Sequence, residues 1–319
     1  MSAKYGRLKG FGNHLQIFKF PNLQIMGGFV LFLCFFTPAR GQQADLAVMD
    51  RWQDSLAGLG RAMYNLPAQE ERIQQNAAFV KTLVSALKER HSYGYDFRAL
   101  DMVSVLRSPR DDFRVFSWHI PLSDGSYLYY GAIQSKTKDG RLQLLPLLDK
   151  TFELKNPETE ELETDRWYGA QYYDIVPLGS DCVLLGWKGH GSDYSQKVIE
   201  ILRTENGTFR LGKAVFSDDP KAVRRIFSFA KGVSMYLKWH PEKKRIVFDH
   251  IIAAEPGLAG DFRHYGPDLT FDAYEINAGK LRHIVNVPFQ NAETGADDRN
   301  LVPGRAIPNR RSGLAPESP

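Results

Sequence analysis

From Phe97 to about Val287 the chain repeats one texture: a short run rich in Val, Ile, Leu, Phe and Tyr, then a brief connection of turn-forming residues. The runs are Met102–Leu106, Phe113–Ile120, Tyr127–Gln134, Leu142–Leu148, Tyr172–Leu178, Cys182–Trp187, Lys197–Arg203, Thr208–Phe216, Arg225–Ala230, Val233–Trp239, Arg245–Ile251, Thr270–Ile276 and Lys280–Val287. Between them lie Ser123-Asp124-Gly125, Lys138-Asp139-Gly140, Gly189–Asp193, Glu205-Asn206-Gly207, His240–Lys244 and Asn277-Ala278-Gly279. Runs of this length and composition read as strands. Links this short join neighbouring antiparallel strands, because a parallel pair needs a crossover of a dozen residues or more. The predicted body, residues 97–288, is therefore an antiparallel meander of about a dozen strands.

A faint repeat runs through it. Phe116–Gly131, Tyr173–Trp187 and Ile226–Trp239 each read as strand, tight turn, strand, at intervals of roughly 50–57 residues that suit a four-stranded blade. Tyr172–Phe216 supplies four successive strands, the clearest candidate blade. Three such units are too few for an ordinary closed propeller, so the expected architecture is an incomplete propeller-like or curved sheet, or a sandwich. Two stretches lack strand texture: the acidic Leu154–Arg166, expected as a solvated surface excursion, and the Pro- and Arg-containing residues 289–319, expected as a disordered tail.

Ahead of the strands, residues 42–96 read as a helical pair. Met49, Trp52, Leu56, Leu59 and Met63 form one stripe at helical spacing, and Ile73, Ala77, Val80, Val84 and Leu87 form a second. Pro67 stands at the start of the second helix, where its missing N–H is tolerated. The fold class expected is mainly β with an N-terminal helical pair covering an edge or a face.

Of the 319 residues, 41 are Lys or Arg and 37 are Asp or Glu, a formal charge of +4. The surplus is local. Residues 1–41 contain Lys4, Arg7, Lys9, Lys19 and Arg40 and no acidic residue, together with the apolar run Ile25–Phe36 and then Ala39-x-Gly41. A basic region, a short apolar region and small residues form the layout of a secretory signal peptide, with cleavage near Gly41. The apolar run falls short of the roughly 20 residues that span a bilayer, so a retained anchor is the alternative reading. Bulky Phe32 and Leu33 ahead of Cys34 argue against a lipid-modified cysteine. The remaining 278 residues hold 36 basic and 37 acidic side chains, a charge of −1. No basic surplus points to nucleic acid. After cleavage the chain would not be an integral membrane protein, and Cys182 would be its lone thiol, read as a small buried hydrophobe.

The densest polar segment is Phe248–Tyr274, with Asp249, His250, Glu255, Asp261, His264, Asp268 and Asp272. Carboxylates and imidazoles together are what divalent-metal or acid–base chemistry needs, and Asp249, His250, His264, Asp268 and Asp272 are the catalytic candidates. Their spacing matches no compact metal signature, and Gly257–Pro267 reads equally as a long loop. A second segment, Trp187–Ser195, has turn chemistry and no nucleophile elbow. Twelve per cent of the residues are aromatic. Rings at strand ends and loops can stack on sugars or peptides, which makes Trp187, His190 and Tyr265 the candidate ligand-binding residues. No cofactor is indicated.

Several strand motifs resemble an uncharacterised family of secreted, periplasmic or envelope proteins of Bacteroidota-type Gram-negative bacteria. The motifs are Tyr168-Gly169-Ala170-x-Tyr172-Tyr173-Asp174-Ile175-Val176-Pro177-Leu178, Leu184-Leu185-Gly186-Trp187, Arg245-Ile246-Val247-Phe248-Asp249-His250 and Tyr265-Gly266-Pro267-Asp268-Leu269. The resemblance implies export to the periplasm or beyond and, because the family has no known activity, assigns no site residue. The leading expectation is a non-enzymatic binding or envelope-assembly module, its partner an envelope protein or a glycan. The alternative is a metal-assisted or carboxylate-based hydrolase using residues 248–274.

Overall fold

The computed structural model describes residues 44–288 apart from Asn206, so the signal-peptide and tail readings lie outside the described residues. Asp45 opens helix α1 (Leu46–Asn65) by accepting the Ala47 and Val48 amides, which satisfies donors that the first turn leaves open. After Pro67 the chain enters α2 (Gln69–Lys88), which packs on α1. Helix α1 buries Met49, Leu56 and Met63 of its expected stripe.

Helix α2 is rotated from expectation. Its buried positions are Arg72, Asn76, Phe79, Leu83, Ala86 and Leu87, one residue ahead of Ile73, Ala77, Val80 and Val84. Two polar side chains take inward places because partners await them there. Arg72 donates to the carbonyls of Leu66 and Pro67 (2.8 Å each) and of Pro121 (3.1 Å), and Asn76 accepts the Trp118 indole N–H at 2.8 Å.

Among the described residues fourteen strands follow, and every strand pair within the sheets is antiparallel. Sheet one is β1 (Ser104–Arg107), β2 (Phe113–Pro121), β3 (Tyr127–Ser135) and β4 (Gln143–Leu148), in that order. Sheet two contains β5 (Leu162–Glu163), β6 (Gln171–Leu178), β7 (Asp181–His190), β8 (Tyr194–Glu205), β9 (Thr208–Leu211) and β10 (Arg224–Ala230). Its order is β5-β9-β8-β7-β6, and the long β8 shares its other edge between β9 and β10. Sheet three is β11 (Leu237–His240), β12 (Arg245–Ala253), β13 (Tyr265–Asn277) and β14 (Lys280–Ile284).

Strand alternation stacks these sheets in layers. Phe113, Val115, Tyr129 and Ile133 of sheet one meet Cys182, Leu184, Val198 and Leu202 of sheet two. The opposite side of the same strands, Val183, Leu185, Ile199 and Ile201, meets Leu237, Ile246, Phe248 and Tyr274 of sheet three. On the outer face of sheet one, Phe116 and Trp118 receive Met63, Phe79 and Leu83 of the helices. The result is a sandwich extended by a third sheet and a helical layer, and no sheet closes into a barrel.

Three expectations change. The repeat Ile226–Trp239 is not a hairpin: β10 belongs to sheet two and β11 to sheet three, so this short link passes between layers. The predicted loop Gly257–Pro267 ends early, because β13 begins at Tyr265 and pairs with Ala253. The acidic stretch Leu154–Arg166 is not a free excursion. It contains β5, and its carbonyls and carboxylates are bolted to sheet two. Fully buried Arg224 pairs with Glu200 and donates to the carbonyls of Pro157 and Glu160. The Val223 amide donates to the Glu158 carbonyl (2.8 Å), the Ile226 amide to its carboxylate (3.1 Å), and Arg203 and Arg210 pair with Glu161 and Glu163. What reads as a water-facing charge run has counter-ions on β8 and β9 and is tied to β10 through its carbonyls and the Glu158 carboxylate.

Candidate functional site

Turns from all three sheets meet at one end of the stack. In the β2–β3 turn, Gly125 has φ +84°, and a Cβ there would stand 3.3 Å from the Ser192 backbone in the β7–β8 turn. After β10, the Lys231 amide donates to the Asp193 carbonyl, and its ammonium donates to the Gly191 carbonyl (3.0 Å) and the Tyr127 hydroxyl (3.1 Å). The connection between β12 and β13 folds back through the Ala254 amide to the His264 carbonyl and brings Phe262 to 5.2 Å from Tyr194, centroid to centroid.

These turns line up four half-buried rings. His190 lies flat on Tyr194 (4.4 Å, 11° between planes), Tyr194 meets Phe262 at 56°, and Phe262 meets Tyr265 at 5.2 Å and 70°. The Tyr265 hydroxyl accepts the Gly260 amide at 2.9 Å, which fixes the far end of the row. His190 and Tyr265, far apart in the sequence, thus belong to one surface. Trp187 does not: it is buried and packs against Tyr127 (5.3 Å) and His119 (5.1 Å) in the layer beneath. Burial first, and the Lys188 ammonium second, hold the His190 pKa below its usual value, so the ring is neutral at pH 7.

Under the row lies a polar interior that sequence reasoning did not find. His119 is surrounded by Tyr64, Tyr127, Tyr129 and Trp187, and its Nδ1 lies 2.7 Å from Gln171 Oε1. Burial depresses its pKa to about 4. Lys188 stands 4.2 Å from the Tyr129 ring centre and 4.7 Å from that of Tyr168, and donates to Thr151 Oγ1 at 2.9 Å and to the Gly169 carbonyl. Burial lowers its pKa to about 8. Phe262 was also missed, although its place three residues before Tyr265 in a turn-rich segment is a usable signal.

The catalytic candidates are divided among separate places. Asp249 accepts the Tyr236 amide at 2.6 Å on the outer face of sheet three, beside Val247. His250 pairs with Asp268 across β12 and β13 (2.9 Å). Hydrogen bonds from Thr270 and then His250 hold the Asp268 carboxyl at a pKa of about 2. His264 lies 3.7 Å from Asp261, which two Arg263 hydrogen bonds engage. Asp272, on the opposite face from Asp249, accepts the Asn286 amide and lies 3.3 Å from His283. Among the described residues no three His, Cys, Asp or Glu side chains form a group that could hold a metal ion. Of the catalytic candidates, the structure brings His250 and Asp268 into direct contact. Cys182 is buried, and burial pushes its thiol up to about 11, far from a thiolate at neutral pH.

No protein-family model, no curated protein and no solved structure matches the chain. Among the described residues no helix is long and apolar enough to cross a membrane.

Proposed function

We propose that the chain is an exported, non-enzymatic binding module of a Gram-negative cell envelope, of the secreted family its strand motifs resemble, and that it binds through the aromatic end of the stack. The observation that carries this reading is the continuous row His190–Tyr194–Phe262–Tyr265. Its members come from turns of two different sheets, and loops held by a rigid scaffold are where recognition surfaces are built. Export rests on the basic region and 12-residue apolar run ahead of Gly41. The non-enzymatic part of the reading is supported by the different partners of the candidates, Asp249 with the Tyr236 amide, His250 with Asp268, His264 with Asp261 and Asp272 with His283, since a nucleophile, base and orienter must converge on one point.

Two measurements test it. Expressed in a Gram-negative host with a C-terminal tag, the full chain is expected in the periplasmic or envelope fraction with a new N-terminus at Gln42; retention in the cytoplasm overturns the export reading. The purified protein is expected to leave glycoside, ester and peptide substrates intact. Turnover that is lost on His250→Ala or Asp268→Asn would replace the binding reading with the hydrolytic one.

A further inference from the structure

Helix α2 carries more apolar surface than its packing uses. Arg72 and Asn76 take inward places, and Ile73, Ala77, Val80 and Val84 form a second stripe about 100° round the helix. Ala77 is exposed and the other three are half-buried. The helix-covered face of sheet one continues past α2 onto the edge strand β4. There Leu144, Pro146 and Leu148 lie opposite Gln134, Ala132 and Tyr130, on the face where Tyr130 stacks on Trp118. Val80 and Leu144 pack on the same cluster, whereas Pro146 is open to water and Leu148 is 47% exposed. We propose that this surface joins two copies of the chain, with α2 lying antiparallel on the partner's α2 about a two-fold axis.

The stripe suits a second copy because it reads the same in both directions. Its spacings are 4, 3 and 4 residues, the pattern of a seam on which two helices pack. An axis midway between Ala77 and Val80 sets Ile73 against the partner subunit's Val84 and Ala77 against the partner subunit's Val80.

The charges fit the same operation. Glu70 stands in the first turn of α2 and Lys88 in the last, and helical spacing puts both at the outer border of the stripe. Antiparallel packing brings each Glu70 beside the partner subunit's Lys88, twice per dimer, whereas a parallel pair would set Glu70 against its own copy. Among the described residues neither Glu70 nor Lys88 has an ion pair within the chain. The two helix dipoles also oppose one another.

Other occupants fit less well. Pro146 takes a donor out of the β4 edge, which disfavours an added strand. Glu70 and Glu71 at one end of the stripe disfavour an anionic membrane surface. A contact strip along this 20-residue helix measures about 30 by 10 Å, about 300 Å² per copy, against roughly 800 Å² in a standard interface. Pro146 and Leu148 widen it, and the affinity expected is modest.

The test is sedimentation equilibrium of the purified protein from about 1 to 300 μM, where a two-chain mass is expected to appear with a Kd of about 1–50 μM. Ala77→Glu changes a position that is exposed in the single chain, so circular dichroism should show the helices intact. It should weaken the dimer more than about tenfold, by setting carboxylates against the partner subunit's Val80. Glu70→Lys and Lys88→Glu should each weaken it about 2–10-fold, and the two together should return it to within about twofold of the original. A single-chain mass at every concentration overturns the proposal. So does a dimer indifferent to Ala77→Glu, or a double reversal no better than either single one.

Discussion

Acidification through the range of His119 should destabilise the protein by an amount the structure sets. The imidazole is 2% exposed, ringed by four aromatic side chains, and burial depresses its pKa from 6.5 to about 4. The unfolded chain takes up a proton near pH 6.5, whereas the folded chain refuses it until about pH 4. The contribution to stability is therefore complete above pH 6.5 and is lost as the pH falls towards 4. Holding the proton off from 6.5 down to about 4 amounts to about 3 kcal/mol. Urea unfolding followed by tryptophan fluorescence, at several pH values from 7.5 to 4.5, measures it. His119→Gln keeps a donor for Gln171 and removes the titration, and other acid-range groups cancel in the difference between the two proteins. That difference should be flat above pH 7 and should shift by about 2–3 kcal/mol in favour of the variant by pH 4.5. A difference constant to within about 0.5 kcal/mol across the range would refute the claim that the folded state excludes the proton.

Gly189→Ala should cost about 1–3 kcal/mol in urea unfolding, because the new Cβ would stand 2.2 Å from the Tyr127 ring and 2.9 Å from Trp187; a neutral result would mean that these rings yield. Arg224→Met should cost about 3–5 kcal/mol by leaving Glu200 buried without its counter-ion, and adding Glu200→Leu should recover much of that loss. The same unfolding curves decide it, and a double variant no better than the single one would show that the contacts to Pro157 and Glu160 dominate. The Cys182 thiol, pushed up to about 11, should react with a disulfide reagent at pH 8 only after urea is added, and rapid labelling of the native protein would contradict its burial.

How far the sequence could be read depended on the kind of interaction involved. Strand existence came through almost intact, since each apolar run from Phe113–Ile120 to Lys280–Val287 overlaps one of the observed strands and turn residues lie near their ends. Those signals are local. The two-residue β5 was invisible because Leu162 is the lone buried apolar position in a stretch whose acidic side chains look solvated, and the counter-ions Arg203 and Arg210, with the Arg224 guanidinium that holds its carbonyls, lie 40 residues or more downstream. The rotation of α2 failed for a related reason: a periodicity count rejects Arg72 and Asn76 as inward residues unless Pro121 and Trp118 are known to face them. At the site, His190 and Tyr265 stood out as rings in turns, whereas their union through Tyr194 and Phe262 required the tertiary fold. Buried His119 and Lys188 carried no local signal, because each sits near the end of a strand buried along almost its whole length, where a polar residue reads as the start of the turn.

The layer order also explains how three sheets suffice without closing into a ring. Sheet one turns Phe116, Trp118 and Ile120 outward, apolar surface worth about 1.5–3 kcal/mol for each side chain buried, and it therefore requires the helical pair. Arg114, on the same face and fully buried, is acceptable there because Gln134 and the carbonyls of Ser92 and Tyr95 receive its guanidinium. Sheet two is apolar on both faces and must lie in the middle. Sheet three faces outward with an ionic ladder, Arg245–Glu275–Arg282, that water can solvate, and its small outward apolar group, Val247 and Ala273, is met by Val287 as the Val287 amide bonds the Phe271 carbonyl. One end of the stack thus needs a helical cover and the other needs little more than the segment that follows β14. A fourth sheet would have to bury that ladder, at a desolvation cost that the three-sheet arrangement avoids.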